Sequence, residues 1–163
     1  MLARLARWLP GRLFGPKPPA DLSWITPELA QSAEFSARSA PALAQLEIGA
    51  VLDLRPDRRH ELEPIGRAGL HYFHLPAADP AGPAQGDMKR AADWVLQELR
   101  DDRKVLIHHV PSSGHSPVMV AAVVLRIGYP LEDALTRVRG ASEYAFSEAQ
   151  QSAIQRFADG LAR

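Results

Sequence analysis

Residues 104–128 read KVLIHHVPSSGHSPVMVAAVVLRIG. Five residues of strand character, KVLIH, enter a compact loop of Pro, Ser and Gly, VPSSGH. The loop enters SPVMVAAVVLRIG, a helix with almost no polar face. A strand without polar alternation is covered on both faces, and a helix apolar all round is buried. Pro117 suits the first turn of this helix and Gly128 suits its end. The loop brings backbone N–H groups to a helix N-terminus, the physical basis of an anion pocket.

The flanking sequence interleaves strands and helices, which predicts an α/β layer fold. AVLDLRP at 50–56 reads as a strand ended by its proline, and LHYFHLP at 70–76 as a second, bounded by Gly69 and Pro76. His71 and His74 are an odd number of residues apart, so at most one of them faces the pocket. LSWITPELAQSAEFSA at 22–37 holds a short strand or an opening turn. PALAQLEIGAV at 41–51 reads as a short helix running into a turn at Gly49, and ELEPIGRAG at 61–69 as a turn-rich connection or short helix. AADPAGPAQGD at 77–87 is a loop by composition.

MKRAADWVLQELR at 88–100 is predicted helical, with Asp87 as N-cap and Ala91, Trp94, Val95 and Leu99 facing inward. A helix over 130–139 follows, with Leu131, Ala134, Leu135 and Val138 at helical spacing. The last helix spans 147–162 and is capped by Ser147.

The chain has 163 residues, enough for one domain with a real core. Lys plus Arg and Asp plus Glu are 19 each, so the formal net charge is zero. Nucleic acid is therefore not an expected partner, since it calls for a basic surplus or stripe. There is no cysteine. Disulfides, thiolate metal sites and thiol nucleophiles are chemically impossible. Many Arg, few Lys and Ala-rich helices suggest a bacterial protein from a GC-rich genome.

Residues 1–20 are read as a basic amphipathic arm and Pro-rich linker, and 21–163 as the domain. MLARLARWLPGRLFGPKPP carries Arg4, Arg7, Arg12 and Lys17 and no acid. Leu2, Leu5, Trp8 and Leu9 recur at roughly helical spacing until Pro10. The apolar runs are too short to span a bilayer and do not read as the core of a secretion signal. A cytoplasmic protein is expected. Its arm at 1–14 either touches the inner face of a membrane or is simply a frayed terminus.

The central segment resembles the cysteine-dependent phosphatases, especially the small dual-specificity type. In that family a strand ends in His-Cys, followed by five residues, an Arg, and a Ser or Thr. Here His108 matches the histidine. His109 stands at the cysteine position. Val110, Pro111, Ser112, Ser113 and Gly114 are the spacer. His115 stands at the arginine position and Ser116 at the Ser/Thr. Ser112 also stands where a glycine is usual. VLDLRP at 51–56 resembles the strand opening the conserved half of such domains. GLHYFHLPAADPAGP at 69–83 resembles the strand and loop that carry the general acid, which makes Asp79 its candidate. Gln150 matches a glutamine near the start of the last helix. The resemblance covers about 22–159 and implies a central mixed sheet flanked by helices, with a strand–phosphate loop–helix unit at 104–127.

The replacements bear on each chemical role. An imidazole can attack phosphorus, but His109 is bulkier than a thiol. His115 lacks the paired donors and permanent charge of arginine, since an unperturbed imidazole, with a pKa of about 6.5, is mostly neutral at pH 7. Ser116 is either a family-like hydroxyl or the N-cap of the helix. Asp79 is either a surviving acid or a surface loop residue. The resemblance implies that His108 packs beneath the loop in a structural role.

Three readings follow. The first is a non-catalytic phosphatase-like domain needing no cofactor. Its loop, from His109 through Val110, Ser112, Ser113, Gly114 and His115 to Ser116, would capture a phosphorylated protein or a phospholipid headgroup, or the domain would meet a protein partner. The second is a hydrolase that uses His109 as nucleophile, or a divalent zinc, iron or manganese ion held by His109, His115 and Asp79. The third is an interaction scaffold without ligand.

Overall fold

A computed structural model describes residues 15–56, 62–77, 83–109, 116–142 and 145–162. The strands are β1 (Ser23–Trp24), β2 (Leu29–Ser32), β3 (Ile48–Asp53), β4 (His71–His74) and β5 (Lys104–His108). The helices are α1 (Ala40–Leu43), α2 (Leu62–Arg67), α3 (Gln85–Arg100), α4 (Ser116–Arg126), α5 (Leu131–Ser142) and α6 (Glu148–Leu161). One five-stranded sheet runs in the order β1-β2-β5-β3-β4. β1 is antiparallel to β2, and the remaining pairs are parallel. The mixed sheet is flanked by helices, as the α/β reading requires.

β5 lies at the centre of the sheet because its side chains suit two apolar layers. Val105 and Ile107 enter the core built with α3, α4, α5 and α6. Leu106 enters the core on the other face, with Leu43, Val51 and Ile65. This is the period of two expected for a strand covered on both sides. α4 is buried from Ser116 through Leu125, so the apolar run at 116–128 is a core helix. Gly128, at φ 109°, supplies the left-handed turn that ends it.

Two local expectations are corrected. Gly49 is not a turn. It lies within β3, where the register with β5 slips between Ile48 and Ala50. The side chain of Arg103 packs over it, and a Cβ there would stand 2.9 Å from Arg103 Cγ. The glycine therefore marks a bulge and a close approach. The preceding turn is made by Glu47, at φ 61°. The second correction concerns α3, which begins at Gln85 with Ala84 at the cap position. Asp87 sits inside the first turn and pairs with Arg90, where a carboxylate still favours the helix dipole.

Candidate functional site at the carboxyl end of the sheet

In open parallel sheets, ligands meet the carboxyl ends of the strands. Here that edge gathers Ser32, Asp53, His74 and His108, with His109 one residue beyond β5. His108 is buried. Its Nδ1 lies 3.2 Å from the Ser32 carbonyl, and its ring meets Phe35 edge-on at 5.6 Å. His109 follows the strand alternation to the opposite face. Its backbone N–H donates to the same carbonyl at 3.1 Å, and the residue is 6% exposed. Ser116, across the loop, is fully buried and is the first residue of α4. The helix therefore includes the serine read as its cap.

Val110, Pro111, Ser112, Ser113, Gly114, His115 and Asp79 lie outside the described residues. So does the arm at 1–14. Among the described residues, no group of three His, Asp, Glu or Cys could hold a metal ion. Two of the three proposed metal ligands, His115 and Asp79, are not among those residues. Among the described residues, no helix is long and apolar enough to cross a membrane.

A second cluster lies beside this edge on β3 and β4, and the sequence reading missed it. Asp53 is fully buried. It accepts from Arg55 Nε at 3.0 Å, Arg55 Nη2 at 2.8 Å, the Arg55 backbone N–H at 3.1 Å and the Tyr72 hydroxyl at 2.6 Å. His74 Nε2 lies 2.9 Å from the Arg55 carbonyl. Burial pushes the Asp53 carboxyl up, but the hydrogen bonds from Arg55 and Tyr72 together hold it below its ordinary value. The available signal was the spacing of Asp53 and Arg55, two residues apart and hence on one face. Tyr72 pairs with Val51 across the sheet, which no local pattern discloses. His71, on the other face of β4, meets Glu98 at 3.1 Å.

A third cluster braces β2. The Asp21 carboxylate accepts from the Ser32 hydroxyl at 2.5 Å, the Ala33 N–H at 2.6 Å and the Glu34 N–H at 3.3 Å. Burial raises its pKa, but these donors outweigh burial and lower it. Asp21, Ser23, Gln31, Ser32, Ala33, His109 and Ala141 line a cavity of 170 Å³.

Comparison with known proteins shows what this framework is. No protein-family model matches the chain. The protein tyrosine phosphatases type IVA 2 of mouse and rat are each 24% identical over 103 residues, covering 62% of this chain and 62% of theirs. The match thus spans less than two thirds of those relatives. Among solved structures, Tk-PTP in its active form superposes with TM-score 0.73 at 23% identity, covering 86% of this chain and 97% of that one. PTPMT1 in complex with PI(5)P gives 0.75 at 15%, covering 86% and 96%. Human DUSP28 gives 0.70 at 21%, covering 91% and 99%. The chain has the fold of the protein tyrosine and dual-specificity phosphatases, and it has no cysteine with which to perform their thiolate chemistry.

Proposed function

We propose that this chain is a non-catalytic phosphatase-like protein that binds a phosphorylated group through the loop 110–115 and the N-terminus of α4. The observation that carries this reading is His109. It occupies the buried position at the end of the central strand, one residue beyond His108, in a chain without cysteine. On our reading of the motif spacing it takes the nucleophile's place, and His115 takes the arginine's. Loop amides and the helix terminus need neither residue to attract an anion. Losing one transition-state donor alone costs about two to three orders of magnitude in rate.

The ligand class we favour is a phosphorylated lipid headgroup, met at a membrane surface with help from the basic arm at 1–14. Two facts support this choice. A protein of the same fold has been solved with PI(5)P. The arm combines three arginines, no acid and an apolar stripe. Phosphorylated proteins are the competing class, and they share the anion chemistry of the loop.

The test is binding of inorganic phosphate, followed by sedimentation with neutral vesicles containing or lacking phosphatidylinositol 5-phosphate. Saturable phosphate binding with lipid-dependent sedimentation is expected. Aryl-phosphate hydrolysis that disappears in both His109→Ala and His115→Ala would overturn the non-catalytic reading.

A further inference from the structure

The cavity beside His109 holds a feature that fold stability alone does not require. Gln31 lies in β2, paired with Ile107 of β5 on one side and Ser23 of β1 on the other. It is 3% exposed, yet among the described residues no group hydrogen-bonds its side-chain amide. Its amide atoms are not sealed off but reach the open space of the cavity. The inward positions on the same face of β2 and β5, Leu29, Val105 and Ile107, are all apolar. A leucine at 31 would continue that layer. The glutamine instead lines the 170 Å³ cavity with Asp21, Ser23 and His109.

The remaining hydrogen-bonding capacity of the cavity defines its ligand. Ser23 already donates to the Ala141 carbonyl at 3.3 Å, so its oxygen is left as an acceptor. Ser32 donates to Asp21 and accepts from the Glu34 N–H at 3.1 Å. Asp21 Oδ2 takes one donor, Ala33 N–H, and a carboxylate oxygen can take two. The Gln31 carbonyl adds a further acceptor. Asp21 supplies a formal negative charge, and the described lining residues include no Lys or Arg. The Gln31 NH2 and the His109 ring can also donate, so it is the Asp21 charge that favours an N–H-rich cation.

We propose that this cavity is a binding site for a small organic cation, a guanidinium or primary ammonium group, held by the Asp21 carboxylate and the Gln31 and Ser23 oxygens. The proposal does not rest on phosphate capture by the loop. Because His109 lines the cavity, an occupant contacts the residue from which the loop departs.

The Ala33 and Glu34 amides bond directly to the Asp21 carboxylate, so their NMR shifts report on its occupant. The full chain is titrated with methylguanidinium, ethylammonium and neutral acetamide at constant ionic strength. Both cations are expected to shift these amides and the Gln31 side-chain amide saturably, and acetamide is not. A preference for the planar cation assigns an arginine-like head, and the reverse assigns an amine. Gln31→Leu, which keeps the fold, and Asp21→Asn, which removes the charge, should each weaken binding about threefold to fivefold, as for one partly exposed charged contact. The proposal is overturned if acetamide binds as well as the cations, or if neither substitution changes the titration. It is also overturned if no cation shifts the amides by roughly 50 mM, beyond the weak end of specific binding. Inorganic phosphate, titrated separately, tests the loop, so the two sites can fail independently.

Discussion

The backbone N–H of His109 donates to the carbonyl of Ser32 at 3.1 Å. The residue proposed to stand at the cysteine position is thereby tied to the neighbouring strand β2. This contact is made by the backbone, so a substitution of the side chain should leave it in place. We expect His109→Cys together with His115→Arg to confer aryl-phosphate hydrolysis. His109→Cys alone should be slower by about two to three orders of magnitude, for want of the clamp on the developing charge. A folded double variant that hydrolyses nothing would show that these two positions do not correspond to the nucleophile and the arginine.

Asp53 gives a prediction in pH. Its folded pKa lies below the unfolded value of about 3.9. The stabilisation from Arg55 and Tyr72 is therefore complete above that value and is lost as pH falls through the folded pKa. Asp53→Asn should cost about 2 to 3 kcal/mol at pH 7, since it leaves a partly buried guanidinium without its counter-charge. The gap between the urea midpoints of wild type and variant should narrow below about pH 4. A gap constant from pH 7 to pH 3 would refute a linked ionisation.

Gly49 and Arg103 are coupled by space alone. In Gly49→Ala the new methyl would meet Arg103 Cγ, so the arginine must lift away. Arg103 also bonds Glu98 at 2.5 Å and Asp101 at 2.7 Å, and Glu98 is buried. We expect a loss of about 1 kcal/mol by denaturant melts. In an Arg103→Ala background the same change should cost less than about 0.5 kcal/mol. Equal costs in both backgrounds would place the strain elsewhere.

The central strand and the buried helix were legible because each is nearly pure apolar sequence, and burial leaves no other reading. β2 was harder. It is buried on both faces, yet it ends in Gln31 and Ser32, whose polarity imitates a loop. The brace that accounts for Ser32 comes from Asp21, eleven residues upstream, beyond any turn or helix spacing. Gly49 was misread because glycine marks turns and bulges alike, and only strand register separates them. Asp87 failed as a cap because the helix starts before it, and a carboxylate is favourable both at the cap and in the first turn. For the candidate site, spacing singled out His108, His109 and Ser116, and the fold sets His108 at the end of β5, His109 one residue beyond it and Ser116 at the start of α4. The Asp53–Tyr72 contact and the Gln31 cavity depend on strand neighbours that only the fold brings together.

Gln150 offers a last test, separating a role at the ligand from a role in the helix. Its side-chain oxygen accepts from the Ser147 N–H at 2.9 Å, and its own N–H donates to the Ser147 hydroxyl at 3.3 Å. This reciprocal pair is a capping box. It fixes the start of α6, whose Ile154 and Phe157 enter the core with α4. Ser147→Ala should cost about 1 kcal/mol. It should also speed hydrogen exchange at the Gln150 amide, which loses its acceptor, while Ile154 and Phe157 stay protected by packing. Gln150→Ala should be destabilising by a similar amount and leave inorganic phosphate affinity unchanged. A fivefold or greater loss of phosphate affinity, about 1 kcal/mol, at intact stability would mean that Gln150 reaches the bound anion.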